Sequence, residues 1–410
     1  MTDIDVLIIG AGPAGAVSSA YLNKMGYKVQ VLEKTVFPRF VIGESLLPHC
    51  MDHLDAVGFL PNIKKHGFQL KNGAAFYKGD RRLEFMFSDQ HTQGWSWTWQ
   101  VKRANFDQIL INSAQEQGVP VKFNCTVTAV NCTKDVQTVT YTDGDGISHT
   151  VTSRFLIDAS GYGRVLPQLF DLDAEVSTIP RGAVFCHIHD TKRTSQAGEN
   201  IFIHSFRQNQ AWIWAIPFSD RTTSVGVVSD VEYVKSLHAD GGKGFLEHIR
   251  TFPDLKGRFS EEELVFEPRE ILSYAKGVKQ LYGEGYVMCG NATEFLDPIF
   301  SSGVTLATGS GYNAALLVHK HLQGETVDWQ GSYEDVVRRG VDVFRSFVLN
   351  WYNGNLQTIF FAKDIEPAIK KQICSVLAGY VWDETNPIIK KHKTILQTLA
   401  DYIKLTEAQN

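Results

Sequence analysis

Val6-Leu7-Ile8-Ile9-Gly10-Ala11-Gly12-Pro13-Ala14-Gly15 is an apolar run that breaks into G-x-G-x-x-G. Small residues at helical spacing follow through Tyr21, Gly26 ends that helix, and Tyr27 to Leu32 reads as a second strand. The motif alone is weak. Behind a strand, opening a helix and within ~30 residues of another strand, it describes a dinucleotide-binding βαβ unit. Gly10 permits the tight turn, Gly12 lets backbone approach a pyrophosphate and Gly15 allows close helix packing. The helix N-terminus then faces the phosphates. Glu33 ends the second strand, where an acid accepts ribose hydroxyls. A Gly-rich turn beside a surface Glu would show one or two of these features, not all four. The motif leaves NAD and FAD open.

Outward from that unit, residues 68–100 read as strands with a turn at Lys78-Gly79-Asp80, and 105–117 as a helix ended by Gly118. A strand is expected over 121–130, a hairpin turn at Asp143-Gly144-Asp145-Gly146, and a returning strand over 151–157. Residues 180–275 are β-rich with one or two helices. Tyr286 to Cys289 is another short strand, Gly303 to Leu322 a helix, and the chain is mostly helical from Tyr333.

The 410 residues carry 40 Lys+Arg and 45 Asp+Glu, a net charge of −5, with 43% apolar and 21% charged residues. That composition excludes wholesale disorder and disfavours a general nucleic-acid binder. No apolar run reaches about 18 residues, so no integral membrane association is expected. The start Met1-Thr2-Asp3-Ile4-Asp5 is acidic and unlike a signal peptide, and no Cys-x-x-Cys occurs among six cysteines. Both point to a cytoplasmic protein with reduced thiols. His187 and His189 alternate on one strand without a third ligand at useful spacing, so no metal site is expected and both read as structural.

Arg103-x-x-Phe106-Asp107, Asp158-Ala159-Ser160-Gly161 and Gly290-Asn291-Ala292 with Asp297-Pro298 follow the Gly-rich turn in that order. The order resembles the FAD-dependent aromatic hydroxylase superfamily over most of residues 1–320. The resemblance implies an α/β (α+β, two-domain) flavoprotein. Its βαβ FAD-binding domain would span 1–180 with inserted strands at about 65–105, its β-sheet substrate domain 181–275, a return to the first domain 276–330, and a helical region 331–410. It implies FAD contacts at Gly10, Gly12, Pro13, Ala14, Gly15, Glu33, Lys34, Arg39, Ser45, Arg103, Val127, Asp158, Ala159, Gly161, Asn291, Pro298, Gly303 and Val304. The family has Asp where this chain has Asn291. An amide still bonds a hydroxyl but brings no charge, so weaker flavin affinity is expected. No second G-x-G-x-x-G follows a strand, so a dedicated NAD(P) domain is not expected.

Trp212-Ile213-Trp214-Ala215-Ile216-Pro217, Phe37-Pro38-Arg39, Gly43-Glu44-Ser45-Leu46-Leu47-Pro48 and Gly67 to Ala74 narrow the resemblance to flavin-dependent halogenases, the phenol and pyrrole branch. Also related are the geranylgeranyl reductases. The halogenase resemblance implies a flavin C4a-hydroperoxide, a halide near Ser302 and Gly303, hypohalous acid, and a catalytic lysine matched here by Lys71. An ammonium donates hydrogen bonds to the oxidant, and its neutral amine captures it. On sequence alone Lys71 would be a solvated lysine. Trp212, Trp214 and Pro217 would wall the substrate pocket, although paired indoles on a strand face are ordinarily core. Trp95, Trp97 and Trp99 alternate similarly and fit a cavity lining or core. The implied partners are a small aromatic substrate, tethered to a carrier protein or free, and a separate flavin reductase. Aromatic hydroxylation and alkene reduction are the alternatives.

Overall fold

The computed structural model describes residues 2–175, 180–193, 200–252, 255, 257–258 and 264–409. Among them, two large sheets share one long seam. The first has eight strands. Its parallel centre runs in the order Val121–Lys122, Val29–Leu32, Ile4–Ile9, Ser148–Asp158 and Tyr286–Met288. Tyr282–Gly283 closes one edge, and the antiparallel strands Gln137–Thr142 and Thr126–Cys132 extend Ser148–Asp158 sideways. Val6, Leu7, Ile8, Leu156, Ile157 and Val287 are buried completely. Helices cover both faces, which is why these strands read as unbroken apolar runs.

Ile9, Leu32, Asp158 and Met288 end four neighbouring strands at the same edge. Carboxyl ends of parallel strands are where such sheets bind ligands. The glycine turn sits there by steric necessity. Gly10 has φ +98°, and a Cβ on it would strike the Ala159 carbonyl. A Cβ on Gly15 would strike the Gly10 carbonyl oxygen, so this glycine closes the turn itself rather than packing helix on strand. The expected strand over 121–130 is broken in two, at Lys122 and Thr126, because Asn124 takes φ +56° between them.

The second sheet has seven strands in the order Arg269–Leu272, Arg181–His189, Thr222–Asp230, Ala211–Pro217, Ile201–Phe206, Gly73–Lys78 and Arg81–Met86. The two strands from 73–86 thus leave the neighbourhood of the first sheet to join the second. Alternate side chains serve different cores. Ile213, Ala215, Val225 and Val227 face the helices Val231–His238 and Lys243–Ile249. Trp212, Trp214 and Ile216 face the other way, toward Phe344, Phe347 and Trp351 of the helix Asp335–Tyr352. Both faces of Ala211–Pro217 are covered, so that strand is apolar and buried throughout. Trp214 lies flat on Gly226, where any Cβ would enter the indole. Burying one such aromatic contributes about 2–3 kcal/mol.

The C-terminal helices, Asp335–Tyr352, Asn355–Phe360, Pro367–Leu377, Pro387–Lys390 and His392–Ala408, close that second core. Among the described residues no helix is long and apolar enough to cross a membrane.

Candidate active site

A cavity of about 550 Å³ runs along the seam between the sheets. One end is the glycine turn, with Gly10, Gly12, Pro13 and Ala14 in its wall; the other is Pro298 and Ser301 to Val304, facing Trp212, Trp214 and Ile216. Two helices point their N-termini into it. Pro13–Lys24 begins at Gly12 and Gly303–Leu322 at Ser302, and neither has a side-chain cap. The first-turn N–H groups of each helix are therefore left to a ligand. Their positive ends favour anionic groups at both ends of the cavity.

The glycine-turn end is built for a nucleotide. A Cβ on Gly12 would meet nothing nearer than the Arg39 guanidinium at 3.6 Å, so the turn is open toward the cavity. Glu33 is fixed from both sides: Oε2 accepts from the Ala11 N–H at 2.8 Å, and Oε1 from the Thr35 hydroxyl at 2.7 Å. Arg103 donates to both oxygens of Asp107, at 2.7 and 2.9 Å, and to the carbonyls of Ile42 and Gly43. Burial works against its charge, but Asp107 outweighs burial and raises the guanidinium pKa. Arg103 thus ties the segment 42–45 to the helix Arg103–Glu116.

At the opposite end the indoles are pinned. Trp214 Nε1 donates to the Ser224 hydroxyl at 3.0 Å. Trp212 Nε1 donates to the Tyr352 hydroxyl at 2.9 Å, Tyr352 donates to Asp297 at 2.8 Å, and Tyr274 donates to the same carboxylate oxygen at 3.0 Å. Burial raises the Asp297 pKa against these donors. This hydrogen-bond chain links the seven-stranded sheet, the C-terminal helices and the turn that carries Pro298.

Lys71 sits behind the segment that carries Ser45 and Leu46. It ends the strand Gln69–Lys71, paired with Thr98–Gln100, and is 1% exposed. Its Nζ donates to the Leu46 carbonyl at 2.7 Å and lies 5.4 Å from the Phe87 ring centre. Leu46 follows Ser45, whose side chain borders the cavity. Desolvation pushes the Lys71 ammonium down to about 7. Nearby, burial pushes His49 down to about 4 and His53 to about 3, leaving both neutral at pH 7. Lys71 therefore holds both of its protonation states within reach of neutral pH. The solvated-lysine expectation fails because the segment 45–47 and Phe87 cover it.

The cavity fits FAD in its donor set: a glycine turn, two uncapped helix ends, a carboxylate at ribose distance along the sequence, and cations at Arg39 and Arg103. Comparison with known proteins agrees. Residues 3–330 match the family model described as FAD binding domain. A 1H-pyrrole-2-carbonyl-[peptidyl-carrier protein] chlorinase of Pseudomonas fluorescens is 28% identical over 93% of this chain and 90% of its own length. A flavin-dependent halogenase of Armillaria mellea is 30% identical over 79% of this chain and 69% of its own. The chain belongs to the flavin-dependent halogenase family. It is an FAD-dependent oxidoreductase. The solved structure of a flavoprotein/dehydrogenase from Cytophaga hutchinsonii superimposes with a TM-score of 0.96 at 48% identity, over 98% of this chain and 99% of that one.

Of the residues that the sequence nominates in this halogenase-family chain, most border the cavity. They are Gly10, Gly12, Pro13, Ala14, Glu33, Lys34, Arg39, Ser45, Arg103, Val127, Ala159, Gly161, Asn291, Pro298, Ser302, Gly303, Val304, Trp212 and Trp214. Four do not. Gly15 lies inside the turn, and Lys71 lies behind Leu46. Asp158 is fully buried; its carboxylate accepts from the Ser160 and Leu166 N–H groups and shapes the turn instead of facing the cavity. Pro217 corrects a simple expectation: the strand period puts 212, 214 and 216 on one face and 217 on the other, so Ile216 takes its place in the wall.

Trp95 and Trp97 precede the strand Thr98–Gln100, and each ring stacks edge-on against the next, through to Trp99, away from the cavity. All six cysteines are free. No group of three His, Cys, Asp or Glu could hold a metal among the described residues.

Sequence reading missed the partners Tyr352, Tyr274 and His187, and the acid Glu44. Their signal was present: Glu44 is the one charge in Phe40 to Pro48, and His187 stands inside an apolar strand. Lone polar residues in apolar runs are buried and matched elsewhere in the fold.

Proposed function

We propose that the chain halogenates a small aromatic substrate presented on a carrier protein, with Lys71 as the group that activates the oxidant. The observation that carries this is Lys71 itself: a lysine with no carboxylate partner among the described residues, sealed behind a cavity wall, its pKa brought near neutrality. Burying a lysine this way is destabilising, and packing gains nothing that a methionine would not supply. Such a residue is retained for its chemistry.

Bound FAD, when reduced, supplies two electrons that turn O2 into an oxidant of halide. The protein's own groups do the rest. The uncapped turn at Ser302 and Gly303 holds the halide, with the helix dipole behind it. Trp212 and Trp214, fixed by Tyr352 and Ser224, keep the aromatic ring from the cofactor end and leave small oxidants free to pass. Lys71 receives hypohalous acid across the Ser45-Leu46 wall and, through its N–H donors or its amine lone pair, fixes the halogen for electrophilic substitution. Gly12, Glu33, Arg39 and Arg103 hold the nucleotide, and a separate reductase delivers the reduced flavin. The carrier-linked substrate is drawn from the chlorinase of Pseudomonas fluorescens, whose name specifies a carrier-bound pyrrole.

A second reading has one observation in its favour, the flavoprotein/dehydrogenase name of the 48% identical structure. Product analysis decides. The test is incubation of FAD-loaded protein with a flavin reductase, NADH, O2, bromide and pyrrole-2-carbonyl-carrier protein, read by mass spectrometry. A brominated acyl chain is expected. A hydroxylated or reduced product, with bromide untouched, overturns the proposal.

A further inference from the structure

Three carboxylates border the cavity among the described residues: Glu33, Glu44 and Glu294. Glu33 is held through both oxygens, and Glu294 pairs with Arg345. Glu44 differs. It is 1% exposed, and Oε2 has no partner. Its other oxygen lies 2.7 Å from Nε2 of His187, itself 5% exposed. The rings of Phe40, Phe218 and Phe266 stand 5.9, 5.2 and 4.7 Å from the imidazole. The backbone here is rigid: the Glu44 carbonyl accepts from the Val101 N–H at 2.8 Å, and Arg103 holds Ile42 and Gly43.

An incompletely partnered carboxylate against an imidazole, inside an aromatic shell, is costly as architecture. It suits a place where one proton must be kept ready, because a neighbouring base and acid share it without bulk water. The proposed reaction needs such a proton. Reduced FAD, O2, halide and one added proton give oxidised FAD, hypohalous acid and water. Four electrons, two from the flavin and two from the halide, break the O–O bond. One oxygen leaves bonded to halogen, the other as water. The electrons are accounted for by flavin and halide; the added proton has to come from the protein or solvent.

We propose that Glu44, backed by His187, delivers that proton to the cavity. The inference rests on the halogenase reading above. The other charges facing the pair are known. Arg103 and Asp107 approach from the helix Arg103–Glu116. Arg269 stacks over Phe40 and Phe266 from the strand Arg269–Leu272. Lys102, paired with Asp220 at 2.5 Å, stacks over Phe218. Arg103 already has Asp107, and Lys102 has Asp220. Glu44 and His187 are thus the pair placed to exchange a proton with one another.

The test uses FAD-loaded wild type, Glu44→Gln, Glu44→Asp and His187→Asn. FAD affinity by fluorescence titration is expected to stay within about threefold in all four, since neither residue is needed for the nucleotide. Bromide oxidation in Glu44→Gln, followed across pH 5 to 9 with a halogen acceptor, is expected to fall at least tenfold. Glu44→Asp should restore part of the rate, and His187→Asn should lower it. A wild-type rate and pH profile in Glu44→Gln overturns the proposal. So does a loss of FAD affinity that matches the loss of rate, which would make Glu44 a binding residue. Should Glu44→Gln not fold, the rates and FAD affinities of Glu44→Asp and His187→Asn decide in the same way. Infrared difference spectra on flavin reduction give a readout independent of halide. A carboxyl band that changes in wild type and is absent from Glu44→Gln supports proton exchange at Glu44. Its absence from wild type overturns it. Wild type that oxidises no bromide yet shows this band defeats the halogenase reading and leaves the proton-exchanging pair standing.

Discussion

The glycine turn at residues 10–15 and the Lys71 pocket serve one site, and they were written into the chain by different means. In the turn, function is a property of backbone: Gly10 and Gly15 are required because a Cβ would strike a carbonyl. Gly15 is constrained from within the turn by the Gly10 carbonyl, and Gly10 by its positive φ and by Ala159 at the end of the neighbouring strand. Around Lys71, function is a property of surroundings. Leu46, Phe87 and Thr98 come from three separate segments, and without them Lys71 is an ordinary solvated lysine. Local sterics are legible residue by residue. A shifted pKa is legible only after folding.

The largest effect should come from breaking the turn. Gly15→Val cannot be accommodated without moving Gly10, so FAD binding is expected to vanish, together with much of the soluble protein. Fluorescence titration and circular dichroism measure both. If Gly15→Val binds FAD normally, the steric account of the turn is wrong.

The second effect separates the two regions. Lys71→Met preserves volume and removes the amine, so halogenated product should fall on the order of a thousandfold. FAD affinity should not move, because Lys71 does not line the cavity. Parallel loss of both would mean that the pocket and the turn are one structural unit.

Stability supplies the third comparison. The Lys71 pKa is near 10.5 unfolded and about 7 folded, so between those values the unfolded chain binds more protons. Stability therefore rises with pH across that window, and the penalty is fully present below pH 7. Its size is on the order of 5 kcal/mol. Lys71→Met should melt higher than wild type at pH 6, with the gap closing toward pH 10. A gap independent of pH would show that Lys71 is not buried as an ammonium.

A smaller effect is expected at the indoles. Tyr352→Phe removes the acceptor of the Trp212 N–H and a donor to Asp297, costing about 1–3 kcal/mol. Product yield per reduced flavin should drop as peroxide leaks, while FAD affinity holds. The smallest effect is Asn291→Asp, which adds a charge at the cavity wall. FAD affinity should tighten a few-fold.

The same contrast explains what was readable beforehand. The βαβ unit, the helix Gly303–Leu322 and the hairpin at 143–146 follow from period and turn chemistry, which are local. The W-x-W-x-I-P face followed from strand alternation, but Pro217 was assigned to the wrong side of it. The partners of those indoles were not readable, because Tyr352 is 140 residues from Trp212. Nor was the pairing of Glu44 with His187, which depends on the crossing of a loop over a strand. Trp95 and Trp97 resemble a cavity lining in sequence, yet their segment does not form a strand until Thr98.

One measurement bears most directly on the division between the two regions. Wild type and Lys71→Met are loaded with FAD, reduced without oxygen, then mixed with oxygenated buffer containing bromide and the generic acceptor monochlorodimedone, and assayed in parallel on an aromatic substrate. Wild type should halogenate both acceptors. Lys71→Met should still reoxidise its flavin and release freely diffusing oxidant, while the aromatic product disappears. Undiminished aromatic halogenation by Lys71→Met would contradict the role given to the buried lysine.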